Sequence, residues 1–190
     1  MRVITGTARG MALTTLDGEA TRPTLAKVKE ALFSAIQFDI EGRRVLDLFA
    51  GSGQLGIEAL SRGALKCVFT DQSQNAIEVI KRNVQKTGFL KESVVCRTDY
   101  ASFLRGTKET FDIAFLDPPY GNGLLIKAMA LLPEVMSEYG IVVCEHPSDE
   151  HLPDSFGGFE LQKEACFHLQ CAAGKRLEYV LFLPDNGIVF

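Results

Sequence analysis

The chain predicts a doubly wound α/β fold: a mainly parallel sheet, an antiparallel C-terminal hairpin and a small N-terminal extension. Short apolar runs of strand length alternate with helically spaced segments from Arg43 to Cys144. Four of those runs end in or just before an aspartate: Asp47, Asp71, Asp99 and Asp117. In a doubly wound sheet such positions gather at the carboxyl ends of the strands, where ligands bind near the switch in strand order.

Residues 1–20 read as extended. Val3-Ile4-Thr5 and Met11-Ala12-Leu13 are short strand-like pieces around Gly6 and Gly10, a small hairpin in outline, and Asp17-Gly18 is a turn signal. Arg22-Pro23-Thr24 introduces a helix with Thr24 in a capping position, and Leu25, Val28, Leu32 and Ile36 repeat at helical spacing. This helix should pack on the sheet and end before Glu41-Gly42. The boundary falls there, with residues 1–41 as arm and helix and residues 42–190 as the main domain.

Val45, Leu46 and Leu48 open the core, Gly51-Ser52-Gly53 turns the chain, and a helix over Leu55–Arg62 stops at Gly63. Lys66–Asp71 is a second strand. Ser73 can cap the next helix, whose buried face is Ile77, Ile80 and Val84 and which Gly88 ends. Ser93–Arg97 and Phe111–Leu116 are further strands; Asp117-Pro118-Pro119-Tyr120 breaks the latter because two ladder donors are lost. Leu124–Met136 reads as a helix broken near its end by Pro133, Gly140–Cys144 as a strand, and Pro147 to Gly158 as loop. Phe159–Gln170 and Arg176–Leu183 pair around Ala173-Gly174.

With 46% hydrophobic and 23% charged residues, the 190-residue chain is ordinary for a soluble globular domain. No run approaches the roughly 18 apolar residues of a membrane helix, and the N-terminus lacks a signal-peptide core, so a cytoplasmic protein is expected. The five cysteines are odd in number and form no CxxC pair. Cys67, Cys96 and Cys144 sit in apolar runs, as buried free thiols do. Cys166 and Cys171 flank His168 in a spacing that matches no usual zinc pattern, so no metal is expected. Net charge is −4, yet Arg2, Arg9, Arg22, Lys27 and Lys29 outnumber Asp17, Glu19 and Glu30 in the first thirty residues. A local basic patch of this kind can hold nucleic acid inside an acidic protein.

The Gly51-x-Gly53-x-x-Gly56 spacing offers bare backbone N–H groups at a helix start and fits a dinucleotide fingerprint letter by letter. Asp47 separates the ligands. A pyrophosphate would be repelled by a carboxylate just before the turn, whereas the ammonium and sulfonium of S-adenosylmethionine would be attracted. The plainer alternative is an aspartate that only hydrogen-bonds turn amides. Asp71 is placed to accept from ribose hydroxyls or to cap a helix, and Asp99 to accept from an adenine amine or to sit idle in a loop. Phe49, Gln72 and Tyr100, beside these residues, complete the candidate cofactor set. In Asp117-Pro118-Pro119-Tyr120 the prolines stiffen a strand exit. They aim the Asp117 carboxylate and Pro118 carbonyl at one place, two acceptors for the two N–H groups of an exocyclic amine, while Tyr120 offers a stacking face. An NAD-dependent oxidoreductase would have no use for that tetrapeptide.

VLDLFAGSG with DPPY resembles the class I, Rossmann-like methyltransferases that modify exocyclic amines, whose motif is (N/D/S)PP(Y/F/W). RVITGTARG, TRPT, VKEALFSAI and VLDLFAGSGQLGIEALSRGA narrow this to a close resemblance to the bacterial RsmD-type 16S rRNA guanine-N2 methyltransferases, which act on guanine 966. The resemblance covers residues 1–146, Glu145-His146 included, and is poor beyond. It implies S-adenosylmethionine as donor, and small-subunit rRNA, in the subunit or an assembly intermediate, as substrate. It assigns catalysis to Asp117, Pro118, Pro119 and Tyr120; an adenine-N6 methyltransferase would share all four. A monomer is expected, with Arg2, Arg9 and Arg22 on an arm that holds RNA near the strand ends rather than building the core.

Overall fold

A computed structural model describes residues 1–16, 23–119, 123–147, 151–170 and 176–184. Its eight strands are β1 (Arg44–Asp47), β2 (Lys66–Asp71), β3 (Ser93–Arg97), β4 (Phe111–Leu116), β5 (Met136–Pro147), β6 (Ser155–Phe156), β7 (Phe159–Gln170) and β8 (Arg176–Pro184). They form one sheet in the order β3-β2-β1-β4-β5-β8-β7-β6. The β3-β2-β1-β4-β5 half is parallel and the β5-β8-β7-β6 half antiparallel. Strand order reverses between β1 and β4, which places the ligand crevice at their carboxyl ends.

The helices are α1 (Pro23–Ala35), α2 (Gln54–Ser61), α3 (Gln74–Thr87), α4 (Tyr100–Gly106) and α5 (Leu124–Met129). Strand alternation splits the core into two layers. Val45, Ile113, Phe115 and Val143 meet Phe33, Ile57 and Ile80 from α1, α2 and α3. Leu46, Ala114 and Val142 meet Leu104 and Leu125 from α4 and α5 on the opposite face. The α1 anchor is direct: the rings of Phe33 and Phe115 lie 5.5 Å apart.

Several boundaries differ from the sequence expectation. α1 starts at Pro23, whose fixed φ suits a first helical position, so Thr24 lies inside the helix instead of capping it. The Leu124–Met136 helix stops at Met129; Pro133 sits in a 3-10 turn (Leu132–Val135), and Met136 already begins β5. α4 was not expected at all, since its 7 residues are too few to show a helical repeat. The terminal hairpin forms as expected.

The arm departs most. Its hairpin outline is present: Val3 N–H donates to the Met11 carbonyl (3.0 Å), Gly10 N–H to the Val3 carbonyl (2.9 Å), and Arg2 bridges Ala12. Yet Val3, Ala8 and Leu13 are buried in the same core layer as Phe33 and Phe115, so the arm does build the core. Buried Glu58 on α2 accepts from the amides of Ile4 (2.8 Å) and Thr5 (3.0 Å), and from Arg62 Nε (2.9 Å). Lys29 Nζ lies 3.6 Å from the same carboxylate, and burial lowers its pKa against that partner's pull. The Ser61 hydroxyl donates to the Thr5 carbonyl and accepts from Ala8 N–H (3.0 Å). Gly6 packs so closely there that a Cβ would fall 1.7 Å from the Ser61 carbonyl oxygen.

α2 packs against β2 through Gly56, where a Cβ would fall 2.4 Å from Phe69 Cε1 and 2.6 Å from Cys67 Sγ. Both neighbours are fully buried, so neither can swing aside. Gly56→Ala is therefore expected to cost about 1–3 kcal/mol by overpacking. At roughly 2–4 °C per kcal/mol for a chain of this size, the melting temperature falls by several degrees. Thermal unfolding followed by circular dichroism checks this; an unchanged midpoint would show that the helix can back away freely.

Candidate active site

β1 delivers Asp47 to the carboxyl edge of the sheet, 2% exposed. The chain then turns through Gly51-Ser52-Gly53. Gly53 is the N-cap of α2 at φ 76°, a left-handed conformation open to glycine, and brings no capping side chain. Asp47 supplies the missing acceptor: its Oδ2 accepts from Gly56 N–H at 2.9 Å, in the first turn of α2. Asp47 thus accepts from a backbone amide of the helix start, and the same side chain also lines the crevice. Burial first, and the Asp47 charge second, push the pKa of the neighbouring Cys67 thiol well up. Cys67 and Cys144 are buried free thiols as expected, while Cys96 is only half-buried.

Asp71 closes β2 and clamps the turn from the other side. Its Oδ2 accepts from Gly51 N–H (3.0 Å) and its Oδ1 from Ser73 N–H (2.8 Å). The cap of α3 is Ser73 itself, whose hydroxyl accepts from Ala76 N–H. Asp99 follows β3 and caps α4, accepting from Ser102 N–H at 2.9 Å. Hydrogen bonds from the Ser102 hydroxyl and amide hold the Asp99 carboxyl below its usual range. α4 also carries Tyr100, whose ring lies 5.6 Å from that of Phe49.

These groups line one cavity of about 450 Å³ over the carboxyl ends of β1, β2, β3 and β4, a volume typical of small-molecule sites. It brings together Asp47, Phe49, Gly51, Asp71, Gln72, Asp99 and Tyr100 with Asp117, Pro118 and Pro119. Gly53 is not part of the wall; it faces Ile80 and Phe69. Tyr120 and Arg22 lie outside the described residues. Arg2 and Arg9 are exposed on the arm and do not reach the cavity, and Arg2 Nη1 donates to the Gly10 carbonyl at 2.8 Å. The docked arm rests on α2 and α3. Gln54, Thr98 and Leu124 also line the cavity; their only sequence signal is adjacency to the motifs. Glu145 and His146, both buried, lie in the last residues of β5 and do not line this cavity, and His146 Nδ1 lies 2.9 Å from the Pro147 carbonyl oxygen.

The family model described as conserved hypothetical protein 95 matches residues 1–171. YlbH of Bacillus subtilis is 40% identical over 174 residues, 89% of this chain and 95% of that protein. Ribosomal RNA small subunit methyltransferase D of Escherichia coli is 31% identical over 168 residues, 86% of this chain and 83% of its own. The chain belongs to this RsmD-type methyltransferase family. The solved structure of Escherichia coli yhhF shares its fold at TM-score 0.82 and 27% identity, covering 98% of this chain and 99% of that one. The likeness thus runs on through the hairpin, past the residues where the motifs end.

As an RsmD-type methyltransferase, the protein takes S-adenosylmethionine as methyl donor. The cavity fits that group. Four aspartates line it, and among the described residues no lysine, arginine or histidine does. A sulfonium and an ammonium are favoured there, and a pyrophosphate would meet like charge on every side. Among the described residues no helix is long and apolar enough to cross a membrane.

The Asp99 cap gives a pH-dependent signature. Its lowered pKa means the contribution is complete above about pH 4, the ordinary carboxylate value, and is lost as pH falls through the Asp99 value. Asp99→Ala should lower the melting temperature at neutral pH, with the deficit shrinking in acid, while Asp99→Asn, an equally good cap, stays near wild type. Melting curves across pH test this, and a deficit independent of pH would deny the carboxylate its role.

Proposed function

We propose that this protein transfers a methyl group from S-adenosylmethionine to the exocyclic N2 amine of a guanine in 16S rRNA, as a cytoplasmic monomer acting on the small subunit or its assembly intermediate. The observation that carries this reading is the cavity lined by Asp47, Asp71, Asp99 and Asp117, with no lysine, arginine or histidine among the described residues of its wall. Relatives named ribosomal RNA small subunit methyltransferase D, in Escherichia coli and Haemophilus influenzae, support the substrate.

On the donor side, Asp71 is assigned to the ribose hydroxyls, since each carboxylate oxygen keeps acceptor capacity beyond its amide. Asp47 faces the cationic end, and Phe49 and Tyr100 flank the adenine, with Asp99 and Gln72 at its rim. When bound, S-adenosylmethionine supplies a methyl group on a sulfonium that needs no activation as a leaving group.

The amine is the weak partner, because its lone pair is delocalised into the base. The Asp117 carboxylate and the Pro118 carbonyl accept from its two N–H groups and free the lone pair on one side. Those bonds strengthen as positive charge develops on nitrogen, so they act mainly in the transition state. Forming the C–N bond would break the methyl–sulfur bond, leave S-adenosylhomocysteine as the neutral thioether, and require the nitrogen to give up one proton, for which Asp117 is the assigned acceptor. Pro119 stiffens this corner and Tyr120 stacks on the base. A guanine in paired RNA has to leave its helix to reach this point. Residues 1–41 supply the RNA-binding part, with Arg2, Arg9 and Arg22 on phosphates.

The test is methyl transfer to unmodified small ribosomal subunits followed by nucleoside analysis. N2-methylguanosine is expected; N6-methyladenosine, or no product, rejects the assignment. Asp117→Ala should lower single-turnover rates by about 10²–10³ while S-adenosylhomocysteine affinity stays near wild type. Replacing Arg9 and Arg22 together should raise KM for RNA and flatten the salt dependence by about 0.7–0.9 log units per lost phosphate contact. If that double variant instead weakens S-adenosylhomocysteine binding and leaves the salt slope alone, the arm serves the cofactor and not RNA.

A further inference from the structure

Asn83 on α3 is 0% exposed, and its amide joins two segments that are far apart in sequence. Its Oδ1 accepts from Thr14 N–H at 2.8 Å, and its Nδ2 donates to the Thr14 carbonyl at 2.8 Å. A single side chain thus meets both backbone polar groups of the arm residue, as a neighbouring strand would. The second Nδ2 hydrogen goes to the Ser52 carbonyl at 2.9 Å. Ser52 is the crown of the cofactor turn, between Gly51, which lines the cavity, and Gly53, which caps α2. The Ser52 hydroxyl is buried with no hydrogen-bond partner among the described residues, so the carbonyl is its polar tether to α3.

The geometry points to Asn83 as a positioning residue that makes the docked arm part of the cofactor site. Thr14 fixes the plane of the Asn83 amide, because only one orientation offers an acceptor to its N–H and a donor to its carbonyl. That plane in turn aims the remaining N–H at Ser52. The turn is then held from two sides, by Asn83 at Ser52 and by Asp71 at Gly51. Undocking the arm frees the amide to rotate and slackens the turn against the ligand. Linkage makes the relation reciprocal: a bound donor stabilises the docked arm by the same factor. This rests on the cofactor assignment and not on the identity of the RNA target.

The test is calorimetric titration with S-adenosylhomocysteine on the full chain, well below the melting temperature of each variant. Asn83→Ala should weaken binding by about tenfold, the order expected for a hydrogen bond lost at a fixed site. Thr14→Pro is the decisive variant. Thr14 is exposed and does not line the cavity, and the substitution removes the N–H that Asn83 accepts while leaving Asn83 itself in place. Several-fold weaker binding is expected, with KM for the donor rising in step and kcat at saturating donor changing less than twofold. Faster hydrogen exchange at the amides of Gly53 to Leu55 should accompany it. A purely structural role would lower the melting temperature and leave the dissociation constant and that exchange unchanged, which overturns the proposal. Weak binding in Asn83→Ala but wild-type affinity in Thr14→Pro also overturns it, since Asn83 would then serve the turn without the arm. Absence of S-adenosylhomocysteine binding in the wild-type protein is a separate result that removes the cofactor assignment itself.

Discussion

Helix α2 begins at a glycine that offers no capping side chain, and the Asp47 carboxylate takes the Gly56 amide in its place. Strand, turn and helix are thereby locked by one charged group at the floor of the cavity. A charge-assisted bond of this kind is worth roughly 1.5–3 kcal/mol, and the positive end of the helix dipole adds to it. Gly53 needs its left-handed conformation for the turn, Gly56 needs its missing side chain for contact with β2, and Asp47 makes both affordable to the fold. The pyramid of contacts above it, Asp71 on Gly51 and Asn83 on Ser52, assumes that α2 starts where Asp47 holds it.

The same chemistry sets the electrostatics. Asp47, Asp71 and Asp99 each accept from backbone amides. The carboxylates are fixed by the backbone before any ligand arrives, which is electrostatic preorganisation for a cation. An RNA phosphate meets its own sign of charge at this mouth. The nucleic acid is therefore best held at a distance from the cavity, by basic groups elsewhere on the surface, with only the uncharged base reaching inward.

Much of this was legible from residues alone. β2, β3 and β4 begin and end where their apolar runs do, and Ser73 and Gly88 bound α3 as their chemistry requires. Strand ends are easy to read because an aspartate or proline interrupts a hydrophobic run abruptly. The arm was misread because glycine and threonine look like surface loop. Its three buried residues, Val3, Ala8 and Leu13, follow no helical or strand period, and the polar side chains that receive its backbone lie more than fifty residues away. Gly53 was placed with the ligand by its motif, whereas its backbone serves the helix start. Asn83 carried no signal: in a helical pattern an asparagine among lysines and glutamines reads as solvent-facing.

The order of strands has a consequence for how the chain is made. β5 borders the parallel half on one side and β8 on the other, and β7, which leaves the ribosome before β8, pairs with β8 and β6 but not with β5. During synthesis the outer edge of β5 therefore stays open after the whole cofactor crevice has been translated, and it closes only when residues 177–182 arrive. An open row of unpaired backbone groups on a twelve-residue strand is a template for foreign strands. Nascent chains stalled short of β8 thus combine a nearly finished catalytic crevice with an adhesive flank, and the last of the described strands is the one that covers it.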